Sequence, residues 1–424
     1  MSQQHNKKPD SPVRKDITAG IVGYLTTVYI VAVNSSILSD AGISVQNGMI
    51  ATILASVIGC LLLGFWANAP MILIPGMGVN ALFAYSIVQG SGLSFQEGLG
   101  VVLVSSLLFI VVANTRMATW LQKAIPDALK HAITVGLGFF LTLIGLEKGG
   151  IVVRGEHALV ELGSFTSPTV LVSLLTLAIG VFLFVKNVPG HFLFTMISGT
   201  ALAYFFGILE GKSTGLITSD IQWVFTPSLS AIDEIAFWMS VFPLTIVLVF
   251  ENMGLLNGQL SMLKQPEKFK RSFQTTSFSA LTCAFFGTSP TVSSAESAAV
   301  IASDGKTGKA SITTGLLFLL TIGFIPLISW IPSVAVSPIL IIVGALMVQN
   351  IRHISLDDIS EAIPAFFIMA MIPFTYSIAD GMAFGFIAYP IVKFAIGKRN
   401  EVSIPIVIIA CLFLAEFVFK AIGH

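Results

Sequence analysis

Apolar runs follow one another along this chain with only short polar breaks between them. The first set covers residues 17–38, 49–67, 71–88, 98–113, 132–146, 170–185 and 192–209. A polar, partly amphipathic stretch at 210–234 intervenes. A second set then covers 235–256, 273–286, 289–302, 312–331, 334–348, 362–378 and 382–396. Runs of this length with few charges predict membrane-spanning helices. The expected fold class is an all-α polytopic membrane protein with 14 transmembrane segments, seven in each set. A last apolar run, 404–419, carries Glu416 and is short for a span, so it is read as an interfacial helix.

Because seven is odd, the two sets enter the membrane from opposite sides, and an inverted repeat follows from the parity. Lysine and arginine test the orientation. Residues 1–15, with Lys7, Lys8, Arg14 and Lys15, are polar and lack a signal-peptide cleavage pattern, so they read as a cytoplasmic tail. Counting from there puts Arg116, Lys123, Lys130, Lys264, Lys268, Lys270, Arg271, Lys306, Lys309, Arg352, Lys398 and Arg399 inside. Lys148, Arg154 and Lys212 fall outside. The bias agrees with a multi-pass protein of the plasma (inner) membrane whose N-terminus is cytoplasmic.

Two stretches break the apolar pattern at matching places. Ile125-Pro126-Asp127-Ala128-Leu129 recurs as Ile331-Pro332-Ser333-Val334-Ala335, and in that register residues 287–299 fall opposite 74–85. The later stretch holds Gly287, Pro290, a series of hydroxyl residues and Glu296; the earlier one holds Pro75, Gly76 and Asn80. Irregular backbone at membrane depth must be buried in protein or line a cavity. Paired interruptions in two halves point to a transporter's binding site. The bland alternative for Pro75 and Gly76 is a kink in a packed helix.

Two carboxylates lie well inside apolar runs, Glu251 and Glu296. A charged carboxylate at the bilayer centre costs about 2.5 kcal/mol or more, so such residues face a polar cavity and usually serve function. A carboxylate can accept two parallel N–H bonds from one edge of a planar heterocycle. Phe83 offers a ring face for stacking, the alternative being core packing, as for most of the 33 phenylalanines. Proton coupling needs an embedded carboxyl that changes protonation, and either glutamate fits that role. Asn34 either bonds to the interrupted segment or makes an interhelical contact without substrate. Asp380 and Glu361 suit helix starts and read as structural.

Composition narrows the classes. The chain of 424 residues is 55% hydrophobic and 10% charged, with a mean hydropathy of +0.90, which excludes a soluble domain. Net charge is zero, so nothing argues for nucleic acid as a partner. Cys60, Cys283 and Cys411 sit in apolar runs without paired spacing, so neither a disulfide nor a metal site is expected. His131, His191 and His353 fall at predicted helix ends and are not assigned to a proton relay. An intramembrane enzyme would need a nucleophile with a base, or a metal cluster, and neither is present in the pattern. Gly305-Lys306-Thr307-Gly308-Lys309 lacks the spacing of a phosphate loop. No cofactor is expected.

Several blocks carry a resemblance. They are Val28-Tyr29-Ile30-Val31-Ala32-Val33-Asn34-Ser35-Ser36-Ile37-Leu38, Pro75-Gly76-Met77-Gly78-Val79-Asn80-Ala81-Leu82-Phe83-Ala84-Tyr85, Glu296-Ser297-Ala298-Ala299, Glu361-Ala362-Ile363-Pro364-Ala365-Phe366 and Pro373-Phe374-Thr375-Tyr376-Ser377-Ile378-Ala379. Together they resemble the AzgA-like branch of nucleobase cation symporter family 2, permeases for hypoxanthine, adenine or guanine.

The resemblance implies a core domain of segments 1–4 (16–120) and 8–11 (235–331), and a gate domain of segments 5–7 (121–209) and 12–14 (332–400). An extracellular linker (210–234) joins the halves, a C-terminal segment (401–424) follows, and short strands interrupt segments 3 and 10. Glu251 and Glu296 then match the acids that bind the base, and Ala295 the residue offering a backbone N–H. Asn80, Ala81, Phe83 and Ser294 complete the implied substrate set, with Asn34, Asn252 and Thr288 in support. The implied activity is import of a purine base with protons, sodium being the other candidate ion, by a protein of the lipid bilayer that forms a homodimer. The 37 glycines fit internal helix packing equally well. The branch more often carries Asp-Thr-x-Gly-Thr in segment 8, where this chain reads Glu251-Asn252-Met253-Gly254-Leu255. The other readings are a pyrimidine base or a small anion carried by the same architecture.

Overall fold

The structure is a computed structural model that describes residues 12–118, 120, 125–155, 158, 160–209 and 221–422. Most of the expected N-terminal tail, residues 210–220 of the expected linker, and Lys123 lie outside the described residues, as does the side chain of Glu416.

The helices are α1 (Pro12–Asp40), α2 (Val45–Ala67), α3 (Met77–Ala81), α4 (Phe95–Asn114), α5 (Asp127–Lys148), α6 (Pro168–Val185) and α7 (His191–Phe205). They continue as α8 (Ile235–Leu263), α9 (Phe269–Phe286), α10 (Ser297–Ala302), α11 (Gly308–Ile328), α12 (Ser333–His353), α13 (Ile359–Thr375), α14 (Ile378–Ala395) and α15 (Ile404–Ile422). Among the described residues, nine are long and apolar enough to cross a membrane. The shorter apolar helices include α7 and α13. α15 packs on α14, with Phe413 buried between Phe242 and Phe386.

Two segments are not continuous helices. Strand β1 (Leu73–Pro75) leads into α3, which widens into a π-helical stretch over Leu82–Gly90. Strand β4 (Thr291–Ser293) leads into α10. β1 and β4 run antiparallel, with Leu73 opposite Ser293, Ile74 opposite Val292 and Pro75 opposite Thr291. The ladder is bracketed by Ser294 N–H to Ile72 O at 2.9 Å and Gly76 N–H to Pro290 O at 3.3 Å. The backbone groups along the facing edges of the two broken segments are thereby satisfied by each other. Gly76 has to be glycine for this approach, because a Cβ there would lie 2.7 Å from the Val292 side chain. A separate small hairpin, β2 (Val152–Val153) with β3 (Glu161–Leu162), follows α5.

Around this crossing, α1, α2, α9 and α11 pack together, and α4 packs on α8 and α9. On the other side α5 packs on α12 and α13, and α13 on α14. Small residues set how closely α5 and α12 approach: a Cβ on Gly138 would lie 2.7 Å from the Gly344 carbonyl oxygen.

Candidate functional site

A cavity of about 530 Å³ lies where the strand crossing meets α8, α5 and α12. One wall is the crossing itself, from Ile74 to Gly78 and from Val292 to Glu296. Helix α8 contributes Val247, Phe250, Glu251 and Gly254, which recur at three- and four-residue spacing and so share one helix face. The opposite wall is apolar and comes from α5 and α12, with Leu137, Val343, Leu346 and Met347.

Glu296 and Glu251 both line this cavity, and they sit in different surroundings. Glu296 is held from two directions. Tyr29 Oη donates to its Oε1 at 2.7 Å, and Ser294 Oγ donates to its Oε2. Tyr29 reaches it because α1 breaks between Thr27 and Ile30. Its ring is braced by Phe192, with centroids 4.7 Å apart. Glu251 is different: its Oε2 is buried and has no hydrogen-bond partner among the described residues. Gly254, one turn on, keeps the cavity side of α8 open, since a Cβ there would meet nothing within 4 Å. A buried carboxylate oxygen without a partner, on a residue that lines a cavity, is an acceptor lacking its donor.

The other residues singled out in the sequence fall into two groups. Ala295 and Ser294 line the cavity. Asn80, Ala81 and Phe83 do not; they are buried behind its wall. Phe83 packs edge-on against Phe95, with centroids 5.5 Å apart, in the manner of a core residue. Asn80 Nδ2 donates to Asn34 O at 3.4 Å. Asn34 Nδ2 in turn donates to Thr52 Oγ1 at 2.7 Å and Thr288 Oγ1 at 3.0 Å. This web ties α1, α2 and α3 to the turn ahead of β4. Asn252 Oδ1 accepts the Ser293 N–H at 3.0 Å, holding β4 from the α8 side.

Sequence reasoning did not single out Tyr29 for the site. It also left aside one end of the cavity, which is polar: Asp127, Lys130 and His131 of α5 meet Asn350 and His353 of α12. There Lys130 Nζ lies 2.8 Å from Asp127 Oδ1 and 5.3 Å from the centre of the Phe250 ring. The rings of His131 and His353 lie 5.0 Å apart. These two histidines stand 222 positions apart in the chain (353 minus 131) at separate helix ends, so only the close packing of α5 on α12 brings them together. Among the described residues no group of three or more His, Cys, Asp or Glu side chains could hold a metal ion.

Comparison with known proteins fits this geometry. The chain has the fold of the transmembrane domain of the bicarbonate transporter BicA from a cyanobacterium, with a TM-score of 0.71 at 15% identity over 88% of this chain and 98% of that one. The murine anion transporter Slc26a9, in its inward-facing state, matches with a TM-score of 0.67 at 14% identity over 93% of this chain and 70% of that one. At such identities the likeness is one of fold.

Sequence relatives are nearer. Nucleobase transporter PlAzg2 of Paenibacillus larvae is 46% identical over 89% of this chain and 76% of its own. Guanine/hypoxanthine permease PbuO of Bacillus subtilis is 35% identical over 97% of this chain and 99% of its own. Adenine permease AdeP of Escherichia coli is 32% identical over 96% of this chain and 93% of its own. The profile described as "Permease family" matches residues 14–384. The chain is therefore a multi-pass integral membrane protein that belongs to this permease family, in its AzgA-like nucleobase-transporter branch.

Proposed function

We propose that the protein imports a purine nucleobase together with protons by alternating access. The observation that carries the reading is the pair Glu251 and Glu296 on one cavity, with the buried Oε2 of Glu251 lacking a partner. A purine edge supplies the N–H donors that a carboxylate accepts in parallel. The volume, about 530 Å³, falls in the range of small-molecule sites and has apolar walls suited to a planar ring. The relatives named as purine permeases support the substrate class.

In this reading the chain crosses the plasma membrane fourteen times from a cytoplasmic N-terminus. A core of α1–α4 and α8–α11 carries the crossing strands and both acids. A gate of α5–α7 and α12–α14 supplies the apolar wall. The polar end at Asp127, Lys130, His131 and His353 belongs with the inside loops by the lysine and arginine count, so the cavity faces the cytoplasm.

The test is uptake of labelled hypoxanthine, guanine and adenine by cells lacking other purine permeases, with unlabelled bases and bicarbonate as competitors. Saturable uptake that bases compete and bicarbonate does not, abolished in both Glu251→Gln and Glu296→Gln, is expected. Full uptake by both variants, or competition by bicarbonate alone, would overturn the reading.

A further inference from the structure

We propose that Gln259 is a positioning residue for the substrate site: beside Asn252, which takes the free-edge N–H of β4, it clamps Ser293 and Ser294 to α8 and thereby sets the spacing between Glu251 and Glu296. The ligand side of this statement rests on the nucleobase reading; the clamp itself rests on geometry.

β4 is three residues long and pairs with β1 along one edge only. Its other edge would present unpaired backbone groups inside a membrane protein, where each is costly. The Asn252 amide of α8 occupies that edge, and Gln259 of α8 holds the Ser293 side chain and the carbonyl just past the strand. Asn252 Oδ1 accepts the Ser293 N–H at 3.0 Å. Gln259 Nε2 donates to the Ser294 carbonyl at 2.7 Å, and Gln259 Oε1 accepts the Ser293 hydroxyl at 2.6 Å. Positions 252 and 259 are two turns apart and share a face of α8. Gln259 is 4% exposed and does not line the cavity.

The consequence for the acids is direct. Glu251 is the neighbour of Asn252, about 100° round the same helix, and faces the cavity. Glu296 lies two residues past Ser294 and takes that residue's hydroxyl proton in a hydrogen bond. Ser294 is fixed by its N–H to Ile72 and by its carbonyl to Gln259. The clamp is thus a direct link between the helix that carries one acid and the loop that carries the other. An amide supplies the donor and the acceptor that the two contacts need, whereas an ionised carboxylate at 259 would set acceptor against acceptor at Ser294.

Purified parent, Gln259→Met, Gln259→Glu and Ser293→Ala would be titrated calorimetrically with hypoxanthine, guanine and adenine, and their uptake kinetics measured in cells. Gln259→Met keeps the length and loses both bonds; it is expected to weaken base binding about tenfold and raise KM by a similar factor, with the maximal rate per folded transporter kept within about twofold. Gln259→Glu is expected to bind more weakly still, and Ser293→Ala, which removes one of the two links, to lose about threefold. Parent-like affinity in Gln259→Met overturns the proposal. So does a loss confined to maximal rate or to the yield of folded protein. If the parent itself binds none of the three bases, the substrate reading fails and the clamp is judged by amide exchange across residues 291–296. Faster exchange in Gln259→Met supports it and unchanged exchange overturns it.

Discussion

Lys148 Nζ lies 2.6 Å from Asp40 Oδ2, an ion pair that ties the end of α5 to the end of α1. Around it, Tyr85 Oη donates to the same Asp40 oxygen at 2.6 Å, and Tyr376 Oη donates to Glu147. The Tyr85, Tyr376 and Phe140 rings meet edge to face, with centroids 5.1 to 6.1 Å apart. On the inward-facing reading proposed above, this cluster would be the closed outer gate. Breaking either partner of the pair should slow transport by loosening that closure. Asp40→Asn and Lys148→Met are each expected to lower the maximal uptake rate several-fold. The double variant should sit nearer to either single than to their product, because the two act through one contact. Uptake kinetics of the four proteins make the comparison, and strictly multiplicative effects would dismiss the gate.

The Tyr29 hydroxyl is a donor to Glu296 that the fold can lose without losing the ring. Tyr29→Phe keeps the packing on Phe192 and removes one hydrogen bond to a carboxylate. A bond of that kind contributes about 1.5 to 3 kcal/mol to folding; with Glu296 less firmly aimed, hypoxanthine affinity should fall as well. Calorimetry on the purified variant measures this. An unchanged affinity would mean that Tyr29 only packs.

A surface cluster gives a pH prediction of definite sign. Asp358, just ahead of α13, accepts from Lys398 Nζ at 2.6 Å, Ser360 Oγ at 2.7 Å and Ser360 N at 3.0 Å. The Lys398 bond, then those from Ser360, hold its carboxyl well below the usual range. A carboxyl whose folded value is depressed adds stability above its unfolded value near 3.9. That stability is lost as pH falls through the folded value. Asp358→Asn should therefore lower the melting temperature by the same amount at pH 8 and pH 5. The gap should begin to close only in stronger acid. The side chain is 34% exposed, so the gap should be modest and should shrink in high salt. A gap that vanished between pH 8 and pH 5 would contradict the assignment.

Much of this was legible in the chain because a bilayer punishes exceptions. Glu251 and Glu296 stand out among apolar neighbours, since a carboxylate there has to earn its place. The stretches at 74–85 and 287–299 stand out as the two interruptions that fall opposite each other. Gln259 carries no such flag: it sits near the end of a long helix, and its partners are a backbone carbonyl and a hydroxyl more than thirty residues away. Tyr29 was visible within a motif, but its role depends on the break in α1. Phe83 shows the reverse difficulty, for a phenylalanine beside a polar break looks the same in sequence whether it faces a ligand or Phe95. The polar end of the cavity depended on α5 meeting α12, a contact between halves that no local pattern encodes.

The ladder between β1 and β4 has a consequence for how such a chain can be assembled. Each broken segment leaves open backbone groups along one edge that the other satisfies, and the two belong to halves made one after the other during synthesis. Until the second half arrives, the first holds a segment that lipid cannot accept. The halves are thus obligate partners in folding, and the site is born at the moment they meet.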